Sequence, residues 1–243
     1  MKNYLKKIYT QLLPFSCILC KHPSRQTRDI CIACQLELPS VTQTCTICAK
    51  PLSHITLICG NCLADPPSFT KIYTLYLYQP PLIYLIWNLK FQHNLVHAKV
   101  LGELMAAQIK LDWYHNRPLP EVIIPVPLHT KRLRERGFNQ ALEIAKPIAK
   151  ILKIPIDYST CIRVKETQSQ TRLSAKEREK NLHNAFAMAG YFPYKHVAIL
   201  DDVITTGQTI RELSTVLKAS GVETIDVWCC ARAALNLETD ILR

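Results

Sequence analysis

Eight of the chain's eleven cysteines lie within the first 62 residues, in four Cys-x-x-Cys pairs. The pairs are Cys17/Cys20, Cys31/Cys34, Cys45/Cys48 and Cys59/Cys62, with ten residues between one pair and the next. This array constrains the fold more than any other feature. Few apolar residues lie between the pairs, so the segment cannot build a core of its own and needs staples. Met1–Lys7 is basic, but the stretch behind it is interrupted by Gln11 and Pro14, and no small-residue cleavage site follows. Without a secretory signal the expected compartment is the reducing cytosol, where paired cysteines mean metal more often than disulfides. Four thiolates around one zinc form a closed, structural site, so eight predict two zinc ions. An iron–sulfur cluster is the minor alternative. The spacing does not choose between sequential pairing (Cys17, Cys20, Cys31, Cys34, then Cys45, Cys48, Cys59, Cys62) and a cross-braced arrangement.

The formal charge of the 243-residue chain is +11, from 30 Lys and Arg against 19 Asp and Glu. Eight thiolates subtract eight from that figure and two zinc dications add four, leaving +7. Residues 1–66 hold seven basic and three acidic side chains, so the zinc-loaded part is near neutral. The excess lies downstream, where residues 125–181 carry 13 basic against 6 acidic side chains. Such a balance points to an anionic partner: nucleic acid, a phosphorylated metabolite or an acidic membrane face.

Asp65-Pro66-Pro67-Ser68 is the natural boundary, since consecutive prolines stop regular structure. It divides the chain into 1–66, cysteine-rich behind a short basic helix over 1–16, and 67–243. The nearest approach to a membrane span, Ile72–Leu89, is split by Gln79, Pro80 and Pro81, and reads as a strand followed by an amphipathic helix. No transmembrane segment is expected. Beyond it, Pro81–Lys110 has helical spacing broken near His93–Asn94. Glu121–Val126 is a buried strand, Phe138–Lys153 a helix kinked at Pro147, and Ile154–Tyr158 a short strand. Arg163–Lys180 reads as a mobile polar loop. His196–Leu200 is a strand, Thr209–Ser220 a helix closed by Gly221, and Glu223–Cys230 a last strand. Apolar strands alternating with helices predict an α/β fold, a parallel sheet covered on both faces, with ligands at the carboxyl ends of its strands.

One such end carries the chemistry. Val197-Ala198-Ile199-Leu200-Asp201-Asp202-Val203-Ile204-Thr205-Thr206-Gly207-Gln208-Thr209 delivers two adjacent carboxylates, then a Thr/Gly loop that opens a helix. Backbone N–H groups and hydroxyls of such a loop cradle a phosphate. Carboxylates beside it suit ribose hydroxyls or hydrated Mg²⁺. The loop lacks the Gly-Lys-Ser/Thr of a Walker A motif.

This stretch resembles the 5-phosphoribosyl-1-pyrophosphate (PRPP) motif of type I phosphoribosyltransferases. The resemblance implies that Asp201 and Asp202 contact the ribose 2′- and 3′-hydroxyls, and that Thr205, Thr206, Gly207 and Thr209 hold the 5-phosphate. Pro125 to Gln140, containing Lys131-Arg132-Leu133-Arg134-Glu135-Arg136-Gly137, stands where that fold places its pyrophosphate loop. Lys131 and Arg132 are the pyrophosphate candidates, while Arg134 and Arg136 read equally well as a solvated face. Arg163-Val164-Lys165 with Thr167, Gln168, Leu173, Arg178, Asn181 and Ala185-Phe186 resembles the flap. Together with the eight cysteines, this order of motifs is similar to the ComF family over nearly the whole chain. The resemblance implies a type I phosphoribosyltransferase-like parallel sheet flanked by helices (67–243) behind a double zinc ribbon (1–66). It further implies PRPP with Mg²⁺ as ligand, and a role in competence or DNA utilisation. There the protein would handle incoming single-stranded DNA in the cytoplasm, beside a helicase and the inner face of the membrane.

Two functions stay open. One is a Mg²⁺-dependent phosphoribosyltransferase of nucleotide salvage or a related pathway, although no acceptor-reading element is recognisable. The other is a binding protein for single-stranded DNA, with PRPP as ligand or regulator. Stacking support for the second is thin, because 125–181 holds only Phe138 and Tyr158 as aromatics. Cys161, Cys229 and Cys230 are left over; Cys229 and Cys230, on the last strand, are expected as core residues, and His93 and His97 as ordinary residues of a surface helix.

Overall fold

The computed structural model describes residues 15–52, 56–165 and 184–233. In chain order its elements are α1 (Ile32–Leu36), α2 (Gly60–Ala64), β1 (Lys71–Leu77), α3 (Leu82–Phe91), α4 (Leu95–Gln108), β2 (Val122–Pro125), α5 (Thr130–Arg136), α6 (Gln140–Leu152), β3 (Cys161–Arg163), β4 (Phe186–Met188), β5 (His196–Ile204), α7 (Gln208–Ala219) and β6 (Thr224–Arg232). A π turn, Ile109–Trp113, extends α4.

β1, β6, β5 and β2 lie side by side in that order, all parallel. β5 and β6 run in register from His196 opposite Thr224 to Ile204 opposite Arg232. Successive strand residues point to opposite faces, and the burial shows it. Ala198 and Leu200 join Trp228 and Cys230 in one core under α3, α4 and α6. Val197 and Ile199 join Val227 and Cys229 in a second core under α7. The α/β sheet covered on both faces is therefore present. Ile154–Tyr158 makes a single parallel bridge, Ile156 to Ile123, in place of the expected strand. β3 and β4 form a separate antiparallel pair.

The helix expected over Pro81–Lys110 breaks where the sequence indicates. Asn94 caps α4 by accepting a hydrogen bond from Val96 N at 3.2 Å, and His93 sits in the left-handed region at φ 54°. The two histidines do not share a surface helix. His93 lies edge-on to Phe138, with ring centroids 5.5 Å apart. His97 is buried, and that burial lowers its pKa. Gly102 lets α4 meet α6: a Cβ there would stand 2.4 Å from Pro147 Cγ and 2.5 Å from the Ile144 oxygen.

The cysteine-rich part shares the core of the sheet instead of standing apart. Cys17, Ile30 and Leu38 are buried in the same cluster as α3 and α4. Ile72 N donates to Ile47 O at 2.7 Å, and Leu77 N to Pro39 O at 2.9 Å. Lys99 Nζ pairs with Asp29 at 2.6 Å. No helix among the described residues is long and apolar enough to cross a membrane, and Ile72–Leu89 divides into β1 and α3. The helix expected over 1–16 lies almost wholly outside the described residues.

Candidate functional site

β5 continues past Leu200 through both carboxylates to Ile204, longer than its apolar run indicates. Backbone pairing with β6 carries the strand across residues whose side chains would not favour it. Adjacent positions face opposite sides, so Asp201 and Asp202 meet different surroundings. Asp202 is buried. It forms an ion pair with Lys90 near the end of α3 and accepts a hydrogen bond from Gln140 Nε2 at 3.3 Å. Burial alone would raise its pKa, but the Lys90 charge and these hydrogen bonds hold it below the usual carboxylate range. Asp201 is half-buried. Burial, with the neighbouring Asp202 charge, pushes its carboxyl well above that range. Of the two acids, Asp202 is the anion and Asp201 the one that retains its proton more readily.

The loop beyond β5 turns through a glycine into α7. Gly207 sits at φ 83°, immediately before α7. A Cβ there would touch only Ile204 Cγ2, at 3.9 Å, so glycine is needed for the backbone angle and not for space. Thr206 Oγ1 accepts from Gln208 N at 3.4 Å, and Thr209 stands in the first turn of α7.

The pyrophosphate-loop candidates are brought to the same edge of the sheet. Val126 follows β2, and the chain enters α5, a helix that the sequence did not signal. His129 caps α5 by accepting from Lys131 N at 3.4 Å, and Gly137 ends it at φ 76°. Lys131 and Arg132 are exposed in its first turn, with Arg134 exposed beyond. Arg136 turns inward and donates to Gln140 Oε1 at 2.7 Å. A continuous polar chain thus runs Arg136–Gln140–Asp202–Lys90. Burial lowers the pKa of Arg136 and of Arg163, and the Arg132 charge adds to both; Asp202 and Asp201 respectively oppose the shift. Cations from α5 and β3 therefore share one field with the carboxylate pair. Arg163 lies 5.5 Å over the Phe186 ring. The remaining flap candidates, Thr167, Gln168, Leu173, Arg178 and Asn181, lie outside the described residues.

Lys90 and Gln140 belong to this site, although no local sequence signal marks either as a site residue. A lysine at the end of an apolar helix carries no local mark of where it points. Arg136, half-buried against Gln140, does not lie on a fully solvated face.

The cysteines gather sequentially, Cys17, Cys20, Cys31 and Cys34 in one cluster, and Cys45, Cys48, Cys59 and Cys62 in the other. Within each, all four sulfurs lie within 4.8 Å of one another. Cys20 to Cys31 is 3.8 Å and Cys48 to Cys59 is 3.7 Å. Four thiolates on a tetrahedral zinc with Zn–S of about 2.3 Å stand about 3.8 Å apart, so the donor set fits that ion. N–H groups aim at the sulfurs: Cys34 N to Cys31 Sγ at 3.5 Å, and Cys59 N to Cys45 Sγ at 3.3 Å. Burial opposes ionisation of Cys17, yet backbone N–H groups bring it down to about 6. Cys229 and Cys230 are buried, as expected of core residues, and Cys161 is buried as well; burial pushes Cys161 and Cys229 up to about 12.

Each of the two parts resembles a known family. The double zinc ribbon domain family matches residues 8–63, and the phosphoribosyl transferase domain family matches 139–238. Competence protein F of Haemophilus influenzae is 44% identical over 160 residues, which span 64% of this chain and 70% of the relative. The chain belongs to the ComF family. The DNA utilization protein YhgH of Salmonella typhi is 38% identical over 156 residues, covering 64% of this chain and 69% of its own length. Competence protein ComFC of Streptococcus pneumoniae is 21% identical over 143 residues, 59% of this chain and 60% of that protein. This ComF chain thus joins two cysteine clusters fit for zinc to a phosphoribosyltransferase-type sheet.

Proposed function

We propose that this ComF protein binds PRPP at the carboxyl edge of its sheet and acts in the cytoplasm on incoming single-stranded DNA. Residues 1–66 would form the zinc-stapled unit and 67–243 the ligand-binding unit. The observation that carries the PRPP reading is the meeting of an ionised, buried Asp202 with the Gly207 loop and the cations of α5. Asp202 and Asp201 offer oxygens to the ribose 2′- and 3′-hydroxyls. Thr205, Thr206, Gly207 and Thr209 hold the 5-phosphate. Lys131 and Arg132 attract the pyrophosphate. Mg²⁺ arriving with PRPP would screen the diphosphate charge, and the two carboxylates are the oxygen donors the site offers it. Titration calorimetry with PRPP and Mg²⁺ tests this. Wild type binds, Asp202→Asn binds at least about 10-fold more weakly, and equal binding by both removes the reading.

A second observation supports contact with single-stranded DNA. Tyr84, Trp87 and Phe91 are exposed at helical spacing on one face of α3, 60%, 47% and 57% accessible. The rings of Trp87 and Phe91 lie 5.8 Å apart, and the Arg136 guanidinium lies 5.9 Å over Phe91. The sheet topology sets these rings beside the basic helix α5, so the aromatics scarce in 125–181 are supplied from elsewhere. Bases stack on rings while cations track phosphates. The relatives named for competence and DNA utilization accord with such a role. Fluorescence anisotropy with an oligo-dT probe is expected to show salt-dependent binding that Trp87→Ala weakens. Binding indifferent to both salt and Trp87 would defeat it.

Phosphoribosyl transfer is the alternative reading, with a competence helicase as protein partner in either case. A pyrophosphate-release assay with PRPP, Mg²⁺ and a panel of bases separates the two. Release that requires one base and disappears in Asp202→Asn establishes the transferase. Tight PRPP binding with no release establishes the binding protein.

A further inference from the structure

Arg232, the last residue of β6, is 3% exposed and has no carboxylate partner among the described residues. Its guanidinium is instead spent on backbone carbonyls from two distant places. Nε donates to Cys48 O at 3.0 Å. NH1 donates to Ile204 O at 2.9 Å, to Thr205 O, and to Ala233 O at 3.4 Å. Cys48 belongs to the second cysteine cluster, while Ile204 and Thr205 begin the loop read above as the phosphate cradle. One buried side chain therefore ties a metal knuckle to the ligand loop.

The consequence follows from peptide geometry. In a planar trans peptide the C=O and the following N–H point opposite ways. Holding the carbonyls of Ile204 and Thr205 toward Arg232 turns the N–H groups of Thr205 and Thr206 away from it, as an anion cradle requires. A guanidinium suits this task because its donors form a rigid, planar fork. The other tine is held by Cys48 O. That carbonyl stays in place only while its knuckle keeps its shape, and the knuckle is shaped by four sulfurs around one ion.

We propose that Arg232 is a positioning residue through which metal occupancy of the Cys45/Cys48/Cys59/Cys62 cluster sets the conformation of the phosphate loop. Among the described residues the first cluster has no such link, so the two metals are unequal: the second supports the ligand site and the first does not. The proposal rests on reading 205–209 as the phosphate loop, but its first readout is independent of any ligand.

The test is hydrogen–deuterium exchange of the full chain, measured by mass spectrometry on peptides covering 203–209, alongside calorimetry with PRPP and Mg²⁺. In Cys62→Ser, exchange in the loop is expected to rise about 10-fold or more, while peptides from β2 and the middle of β6 stay unchanged. Cys20→Ser, in the first cluster, leaves the loop as in wild type. Arg232→Met loosens the loop by a similar factor, and adding Cys62→Ser to it produces little further change. Stripping wild type with a chelator under reducing conditions repeats the experiment without any substitution in the ribbon. An unchanged loop in stripped wild type overturns the coupling. So does a full additional effect of Cys62→Ser on top of Arg232→Met. If the loop responds but PRPP does not bind wild type, the coupling stands and the PRPP reading falls.

Discussion

The cysteine-rich segment and the sheet solve the same problem by different means. Among the described residues between Cys17 and Cys62 the buried side chains are four of the cysteines, Cys17, Cys45, Cys59 and Cys62, with Ser24, Ile30, Leu38 and Ala49. In β5 and β6, by contrast, Val197 to Leu200 and Ile225 to Ala231 are nearly all inaccessible to solvent. A hydrophobic core offsets the chain entropy of the sheet, whereas metal–thiolate bonds must do so for the ribbons. The contrast is not a clean separation, because Ile30 and Leu38 dock into the sheet's own core. The ribbon therefore borrows apolar contact from the sheet, and the sheet takes loop support from the ribbon through Arg232.

Four experiments would break or sharpen this contrast. Metal removal should have the largest effect. Chelation under reducing conditions is expected to take zinc content from two ions per chain to none and to abolish exchange protection over 17–62. Structural zinc contributes on the order of 10 kcal/mol in small domains. Sheet circular dichroism should persist, and its collapse along with the ribbon would erase the distinction between the two regions.

Leu200→Ala is the converse probe. Leu200 is fully buried, so the cavity should cost about 2–5 kcal/mol in denaturant unfolding. Zinc stoichiometry should stay at two. Loss of zinc in this variant would mean that the ribbons depend on the sheet more than their ligands imply.

Lys90→Met removes the partner of a buried carboxylate and should cost about 3 kcal/mol. Lys90→Arg should recover most of it. If Lys90→Met weakens PRPP binding while Lys90→Arg binds normally at equal stability, the pair positions ligand. Equal binding by all three would confine Lys90 to a structural role.

The smallest effect is a stabilisation. The Asp201 pKa is raised on folding, so the folded state holds its proton more tightly than the unfolded chain does. That favours folding at low pH and turns into a penalty as pH rises through the unfolded value of about 3.9 toward the folded one. Asp201→Asn is therefore expected to raise the melting temperature at pH 7 and to leave it nearly unchanged below about pH 3. A lower melting temperature at pH 7 would mean that Asp201 is held as a favourable anion.

Much of this was legible because it is local. A continuous apolar run announced β5, and adjacent acids, with Thr-Thr-Gly two residues on, announced the loop. A turn needing positive φ sits where Gly207 stands, and four Cys-x-x-Cys pairs announced metal. Helix α5 was hidden because its charged sequence, Thr-Lys-Arg-Leu-Arg-Glu-Arg, has almost no apolar periodicity. β5 outruns its apolar segment because backbone pairing with β6, not side-chain preference, carries it through Asp201 and Asp202.

What the amino-acid sequence determined alone, then, was the α/β class, the strand-end carboxylates with their glycine loop, and the eight sulfur ligands. Each is written in local runs whose periodicity, turn chemistry or spacing has its own physical meaning. Tertiary structure decided the rest. It chose sequential over cross-braced clusters. It gave Asp202 its Lys90 counter-charge, let α4 meet α6 at Gly102, and joined Arg232 to Cys48 across 184 residues of chain. Such contacts leave no local signature, because a side chain's partner across the fold depends on how the sheet stacks its strands and helices and not on its neighbours in sequence.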